Sequence, residues 1–142
     1  MNPTKEAMRV AQRSTHKRYM MGCVIMRNGH ILAKGHQHTG TWRMRELYSM
    51  HAELHALFNL RHMRGELGGS TAYIVGISRK SGNYVPALPC VRCATALVHA
   101  GITTIAVSNG RIAVLSDRGD LPSMDRIYVP DVLDNLKTYP AP

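Results

Sequence analysis

The chain is poor in cysteine: Cys23, Cys90 and Cys93 are its only three in 142 residues. An odd, low count argues against a disulfide framework as the source of stability. Long apolar runs are absent too. The run over 20–26 is well short of the ~20 residues that a membrane-spanning helix needs, so no membrane partner is expected. The opening MNPTKEAMRV contains an acidic residue and no apolar stretch, so it does not read as a secretion signal, and a cytoplasmic location is the expectation. There is no internal repeat, low-complexity tract or linker, and residues 1–142 read as one domain. Acidic residues are scarce: 9 Asp and Glu stand against 18 Lys and Arg, a formal charge of +9. Arg43, Arg45, Arg61 and Arg64 fall close together, and Lys17-Arg18 forms a second basic pair. That balance suits a nucleotide or a nucleic-acid backbone, although a solvated surface would account for it equally well.

What is present alternates between strand and helix patterns. Asn2-Pro3 ahead of Lys5-Glu6-Ala7-Met8 predicts a capped first helix. A buried strand over 20–26, the turn Asn28-Gly29 and a partner strand over 31–33 predict a hairpin. The stretch 35–48 reads as a polar loop. Ser49 then reads as the N-cap of a helix to about Arg64, with Met50, Leu54, Leu57 and Phe58 at helical spacing. A third strand follows over 71–77, then a loop over 78–88 that carries Arg79 and Lys80. Pro89 precedes a helix over 91–100, closed by Gly101, and a fourth strand over 102–107. Asn109-Gly110 predicts a second hairpin with a fifth strand over 112–115, and 130–137 a short last helix. The order implies an α/β fold: one mixed five-stranded sheet with helices over its faces.

Two short segments carry chemistry: His51-Ala52-Glu53 and Pro89-Cys90-Val91-Arg92-Cys93, with 35 residues (54–88) between Glu53 and Pro89. Both fall at predicted helix N-termini, where unpaired N–H groups and the helix dipole favour thiolate over thiol. One imidazole and two thiolates suit Zn²⁺, and three protein ligands leave the fourth tetrahedral position open to water, as a catalytic site requires. Zinc brings the pKa of its water toward ~7. Glu53 stands close enough to the metal to move protons without ligating it, a role that contributes ~10²–10⁴-fold. Other readings fit less well. A thiol–disulfide C-x-x-C leaves His51 and Glu53 unexplained. A structural zinc needs a fourth ligand such as His55 or His99. The His51/His55 pair lacks the carboxylate position of H-E-x-x-H, which makes His55 a helix-face residue packed behind the site.

H-x-E followed by P-C-x-x-C is the signature of zinc-dependent nucleobase deaminases, and the chain resembles the cytidine and deoxycytidylate deaminase superfamily along nearly its whole length. Cys23-Val24-Ile25 with Asn28-Gly29 and Ile31 to Gly35 is similar to that family's first hairpin, and Ala100-Gly101-Ile102 to a characteristic junction. The resemblance implies a three-layer α/β/α fold and one zinc per chain held by His51, Cys90 and Cys93, with Glu53 as proton shuttle. It implies substrate contacts from Ala52, from the main-chain carbonyl of Leu88, and from Gln37 in place of a more usual Asn. Arg79 and Lys80 are candidates for a phosphate or base contact. The Asn109-Gly110 turn implies antiparallel fourth and fifth strands, an arrangement similar to the free-nucleoside branch of that superfamily; the resemblance also implies a tendency to form homo-oligomers, where the nine methionines would serve an interface or else fill the core. The activity expected is hydrolysis of a cytosine nucleotide (dCMP or CMP) to the uracil nucleotide and ammonia. The alternative is an RNA or DNA cytosine or adenine deaminase, for which Trp42 would offer a stacking platform.

Overall fold

The computed structural model describes residues 2–42, 45–60, 67–114 and 121–136, with the side chains of 39–49, 113–114 and 134–136 left aside. The elements run α1 (Pro3–Ala11), β1 (Tyr19–Arg27), β2 (His30–His36), β3 (His38–Trp42), β4 (Arg45–Met50), α2 (Ala52–Phe58), β5 (Thr71–Ser78), β6 (Tyr84–Val85), α3 (Val91–His99), β7 (Thr104–Val114), β8 (Leu121–Tyr128) and α4 (Val129–Leu136). The main sheet has the order β2-β1-β5-β7-β8, with β6 also paired to β5. Among the described residues only β5 and β7 run parallel; the other pairs are antiparallel. Among the described residues no helix is long and apolar enough to cross a membrane.

Strand alternation divides the core into two layers. Val24 on β1 and Val75 and Ile77 on β5 pack against Ala7, Val10 and Ala11 of α1. Cys23, Ile25, Ala72 and Ile74 face the other way, toward Ala52 and Ala56 of α2, Ala94 and Leu97 of α3, and Val129 of α4. The fold is therefore a three-layer α/β/α sandwich, with one helix on one face and three on the other. Asn2 caps α1 as expected, its side chain accepting from the Thr4 and Lys5 N–H groups. Asn28 and Gly29 make the β1–β2 turn.

Two glycines bring the helices against the sheet. A Cβ on Gly35 would lie 2.3 Å from Ala56 N and 2.4 Å from Ala52 O, and one on Gly22 would lie 2.4 Å from both Ala11 N and Ala7 O. β2 thus rests directly on the backbone of α2. Gly35→Ala must push the two apart, and overpacking of this kind costs about 1–3 kcal/mol. The expected result is a lowered denaturation midpoint for Gly35→Ala with little change for Gly68→Ala, where no atom lies within 4 Å. Equal midpoints in the two variants would count against the close packing.

Several readings of the sequence need correction. The stretch 35–48 is not a loop: β2 runs through His36, and β3 and β4 pair as a separate two-stranded sheet. Its Thr, Trp and Tyr residues favour strand, and its polar composition concealed them. The backbone of Ser49 pairs with Thr39 inside β4, and His51 is the N-cap of α2. α2 ends at Phe58 with Asn59 as its C-cap, short of the end expected near Arg64, and Arg43, Arg61 and Arg64 lie outside the described residues. A further correction concerns Asn109-Gly110, which does not turn the chain. Both residues lie within β7, where the register slips between Ser108 and Ile112 and Gly110 takes φ +87°. The Asn109 amide donates to Ser123 Oγ and Asp125 Oδ1 on β8, and its oxygen accepts from Arg111 N. A bulge absorbs the positive φ that suggested a hairpin. The expected fifth strand, 112–115, is through Val114 the end of β7 itself, and the antiparallel partner of β7 is β8.

The 78–88 segment is likewise more than a loop. β6 returns to β5 at Gly76 and Ile77, beyond the point where β7 stops pairing with it. The buried Ser108 hydroxyl closes the gap, accepting from Gly76 N and donating to Val85 O.

Candidate active site

His51 and Cys90 occupy equivalent places, each the extended N-cap residue of a helix, α2 and α3. N-cap side chains ordinarily accept from the first free N–H groups of their helix, an interaction worth ~1 kcal/mol. Neither side chain does so here. Instead the two turn toward each other and toward Cys93 in the first turn of α3. His51 Nδ1 stands 3.3 Å from Cys93 Sγ and 3.8 Å from Cys90 Sγ. All three ligand atoms lie within 4.8 Å of one another, and both cysteines are free thiols. Zn–S bonds of ~2.3 Å and Zn–N bonds of ~2.05 Å at the tetrahedral angle would set sulfur and nitrogen ~3.5 Å apart. The two observed separations bracket that value, so the donor set and its spacing both fit a zinc ion. Cys93 is fully buried, while His51 and Cys90 are partly open.

Glu53 lies two residues beyond His51, in the first turn of α2, and is buried. Its carboxylate accepts from the Cys93 thiol, and its own backbone N–H also bonds it. Burial holds its pKa above the usual carboxylate range, and those two hydrogen bonds oppose the rise. Cys93 is pushed well up from the ordinary thiol value, first by burial, then by the charge of Glu53 and by Cys90. Cys23, on β1, is raised by burial and by the same carboxylate. The His51 imidazole is held down by burial, then by the positive charge of Arg92 and by His16. Its lone pair is thereby kept available for a ligand.

The remaining residues named from sequence lie on several elements of the fold. Ala52 is the buried first residue of α2. Leu88 is exposed just ahead of Pro89. Gln37 joins β2 to β3, its N–H donating to Met21 O and its carbonyl accepting from Thr15 N. Lys80 is exposed in the turn after β5. Arg79 is engaged in the fold: Nε donates to His16 O, Nη2 to Ser14 O, and its backbone N–H to Arg18 O. Arg79 thereby ties the 14–18 segment in place. His16 belongs to that segment, its Nδ1 accepting from Arg18 N and Tyr19 N. His16 and Arg92 were not singled out in the sequence. Arg92 was legible, since it lies between the two cysteines; His16 carried no signal, because a tertiary tie brings its segment in. The side chains of Trp42 and Arg45 lie outside the described set.

The family profile of the cytidine and deoxycytidylate deaminase zinc-binding region matches residues 2–109, a span that includes His51, Glu53, Cys90 and Cys93. Among curated proteins the chain is similar to the riboflavin biosynthesis protein RibD of Escherichia coli, 34% identical over 107 residues. The match takes in 72% of this chain and 24% of RibD, so the chain spans about a quarter of that relative. The fold is similar to the crystal structure of dCMP deaminase from the cyanophage S-TIM5 in apo form, with a TM-score of 0.62 and 24% identity over 94% of this chain and 88% of that one. It is also similar to the crystal structure of cytidine deaminase from Burkholderia pseudomallei, with a TM-score of 0.63 and 16% identity over 92% of each chain.

Proposed function

Because the chain belongs to the cytidine and deoxycytidylate deaminase family of zinc-dependent hydrolases, we propose that it deaminates a free cytosine nucleotide such as dCMP or CMP. The observation that carries this reading is a buried carboxylate, Glu53, bonded to the innermost thiol of a His/Cys/Cys group with zinc spacing. His51, Cys90 and Cys93 hold one zinc per chain in this reading. A zinc ion held there would supply a water acidic near neutral pH as the nucleophile for C4 of the ring. Glu53 would accept a proton from the attacking water and deliver it to N3. A second proton passes by the same side chain to the exocyclic nitrogen as the C4–N bond breaks. Water and cytosine are consumed, and uracil and ammonia leave.

The chain's other residues orient the base. The Ala52 N–H sits in the first turn of α2, where donors lack an intrahelical acceptor, and it suits the base carbonyl. The Leu88 carbonyl suits the amine, and Gln37 the sugar or base edge. Arg92, whose charge acts on the His51 imidazole, and exposed Lys80 supply positive charge for one phosphate. The antiparallel β7–β8 pair supports a small substrate. The net charge of +9 favours the second reading, a polynucleotide substrate.

Ammonia release from dCMP, CMP, cytidine and a cytosine-bearing oligonucleotide, each at two salt concentrations, separates the two. A polymer held through many phosphates loses affinity with a log–log salt slope near −0.7 per contact. The expected outcome is turnover of a mononucleotide with a much shallower dependence. Turnover of the oligonucleotide and of no monomer would establish the second reading in its place.

A further inference from the structure

A second group of metal-binding side chains lies outside this machinery. His36 ends β2, His38 opens β3, and His55 lies one helical turn beyond His51 on α2. Their ligand atoms fall within 4.8 Å of one another. The three rings form a closed triangle with centroids 5.1, 4.8 and 4.7 Å apart. All three are partly open to solvent, so an ion can reach them.

We infer that His36, His38 and His55 form a second site for a divalent transition-metal ion of the zinc, cobalt or nickel type. The donor set is three neutral imidazoles with no thiolate or carboxylate, a composition that suits these ions and not calcium or magnesium. Nitrogens around one such ion stand ~3.3 Å apart, so small ring rotations close the triangle on it. His38 is already oriented for the task. Its Nδ1 lies 3.0 Å from the His36 carbonyl, and an Nδ1–H donated there leaves Nε2 with its lone pair free. His36 and His55 are both held toward the neutral form, chiefly by burial and then by their histidine neighbours, so protons compete weakly for their lone pairs. One existing bond must be exchanged. The His36 N–H donates to His55 Nδ1 at 3.0 Å, so His55 ligates either through that lone pair or after its ring turns. The freed N–H belongs to a half-open residue that water can reach.

Such an ion would fasten the junction of β2 and β3 to the helix that presents His51 and Glu53. It would stabilise the folded chain without contributing to the chemistry. Neither Gly35 packing nor the ring contacts require three histidines here, and none of the three enters the proposed reaction.

Untagged, zinc-loaded protein is titrated with cobalt(II), and cobalt and zinc per chain are measured after dialysis. The expected result is one zinc retained and one cobalt gained, with cobalt d–d absorption and no thiolate charge-transfer band. His36→Gln and His38→Gln should each lower the cobalt affinity at least tenfold, with His30→Gln as a surface control. Cobalt should raise the melting midpoint of the wild type and of His30→Gln only. Wild-type protein that holds no cobalt beyond its zinc would overturn the inference, whatever the variants do. So would cobalt uptake unchanged in both site variants, or uptake accompanied by zinc loss and a thiolate band.

Discussion

Glu53→Gln should keep its zinc, fold, and lose at least ~10²-fold in kcat. The substitution preserves shape but removes the group that can take and return a proton. Glu53→Ala should lose as much activity, with some loss of stability from the emptied space. The pH profile distinguishes proton transfer from support. Protonated Glu53 cannot accept from water, so wild-type kcat/KM falls as pH drops through the Glu53 pKa, and burial sets that limb above the usual carboxylate range. In Glu53→Gln the residual rate should show no such limb. Metal analysis and ammonia release on the same preparations check the result. Loss of zinc from Glu53→Gln would make Glu53 a ligand or a support for one, and full activity would remove it from the reaction.

The parts of this site that were legible in the sequence are those written at short range. His51 and Glu53 are two residues apart, Cys90 and Cys93 three, and each pair sits at a helix start, so local spacing sufficed. Strand alternation around Cys23 and Ile74 was equally local and gave the sheet. What stayed hidden depends on contacts far apart in the chain. Arg79 read as a free cation in a loop, yet it reaches 63 and 65 residues back to the carbonyls of His16 and Ser14. The triangle of His36, His38 and His55 joins a strand end to a helix face across 19 residues. Asn109-Gly110 misled for a related reason. Its positive φ was foreseeable, but whether a positive φ reverses a strand or bulges it depends on the partner, and Ser123 and Asp125 decide that. Ser49 failed as a cap because two chemically demanding residues, His51 and Cys90, hold the cap positions for their ligand atoms' sake, against the usual preference.

Zinc uptake by stripped protein should release protons and strengthen steeply with pH. In the metal-free chain Cys93 holds its proton, because its sulfur is buried beside the Glu53 carboxylate and Cys90. Zinc binds the thiolate, so each equivalent must displace that proton. His51 contributes little, since burial and Arg92 hold it toward its neutral, ligand-ready form. Linkage fixes the sign. One proton released per zinc bound raises the affinity ~10-fold per pH unit, and two would raise it ~100-fold. Competition titrations against a chelator of known proton balance, run between about pH 6 and 8, read the slope directly, and a pH-stat or calorimetry in two buffers counts the protons. Removing Glu53 tests the cause. In Glu53→Gln the thiol loses the neighbouring negative charge that discourages its ionisation, so the proton leaves Cys93 more easily. It loses at the same time a carboxylate that would attract the cation. A slope near zero in wild-type protein would mean that the thiols reach the metal already ionised, and the burial of Cys93 would then have no bearing on zinc binding.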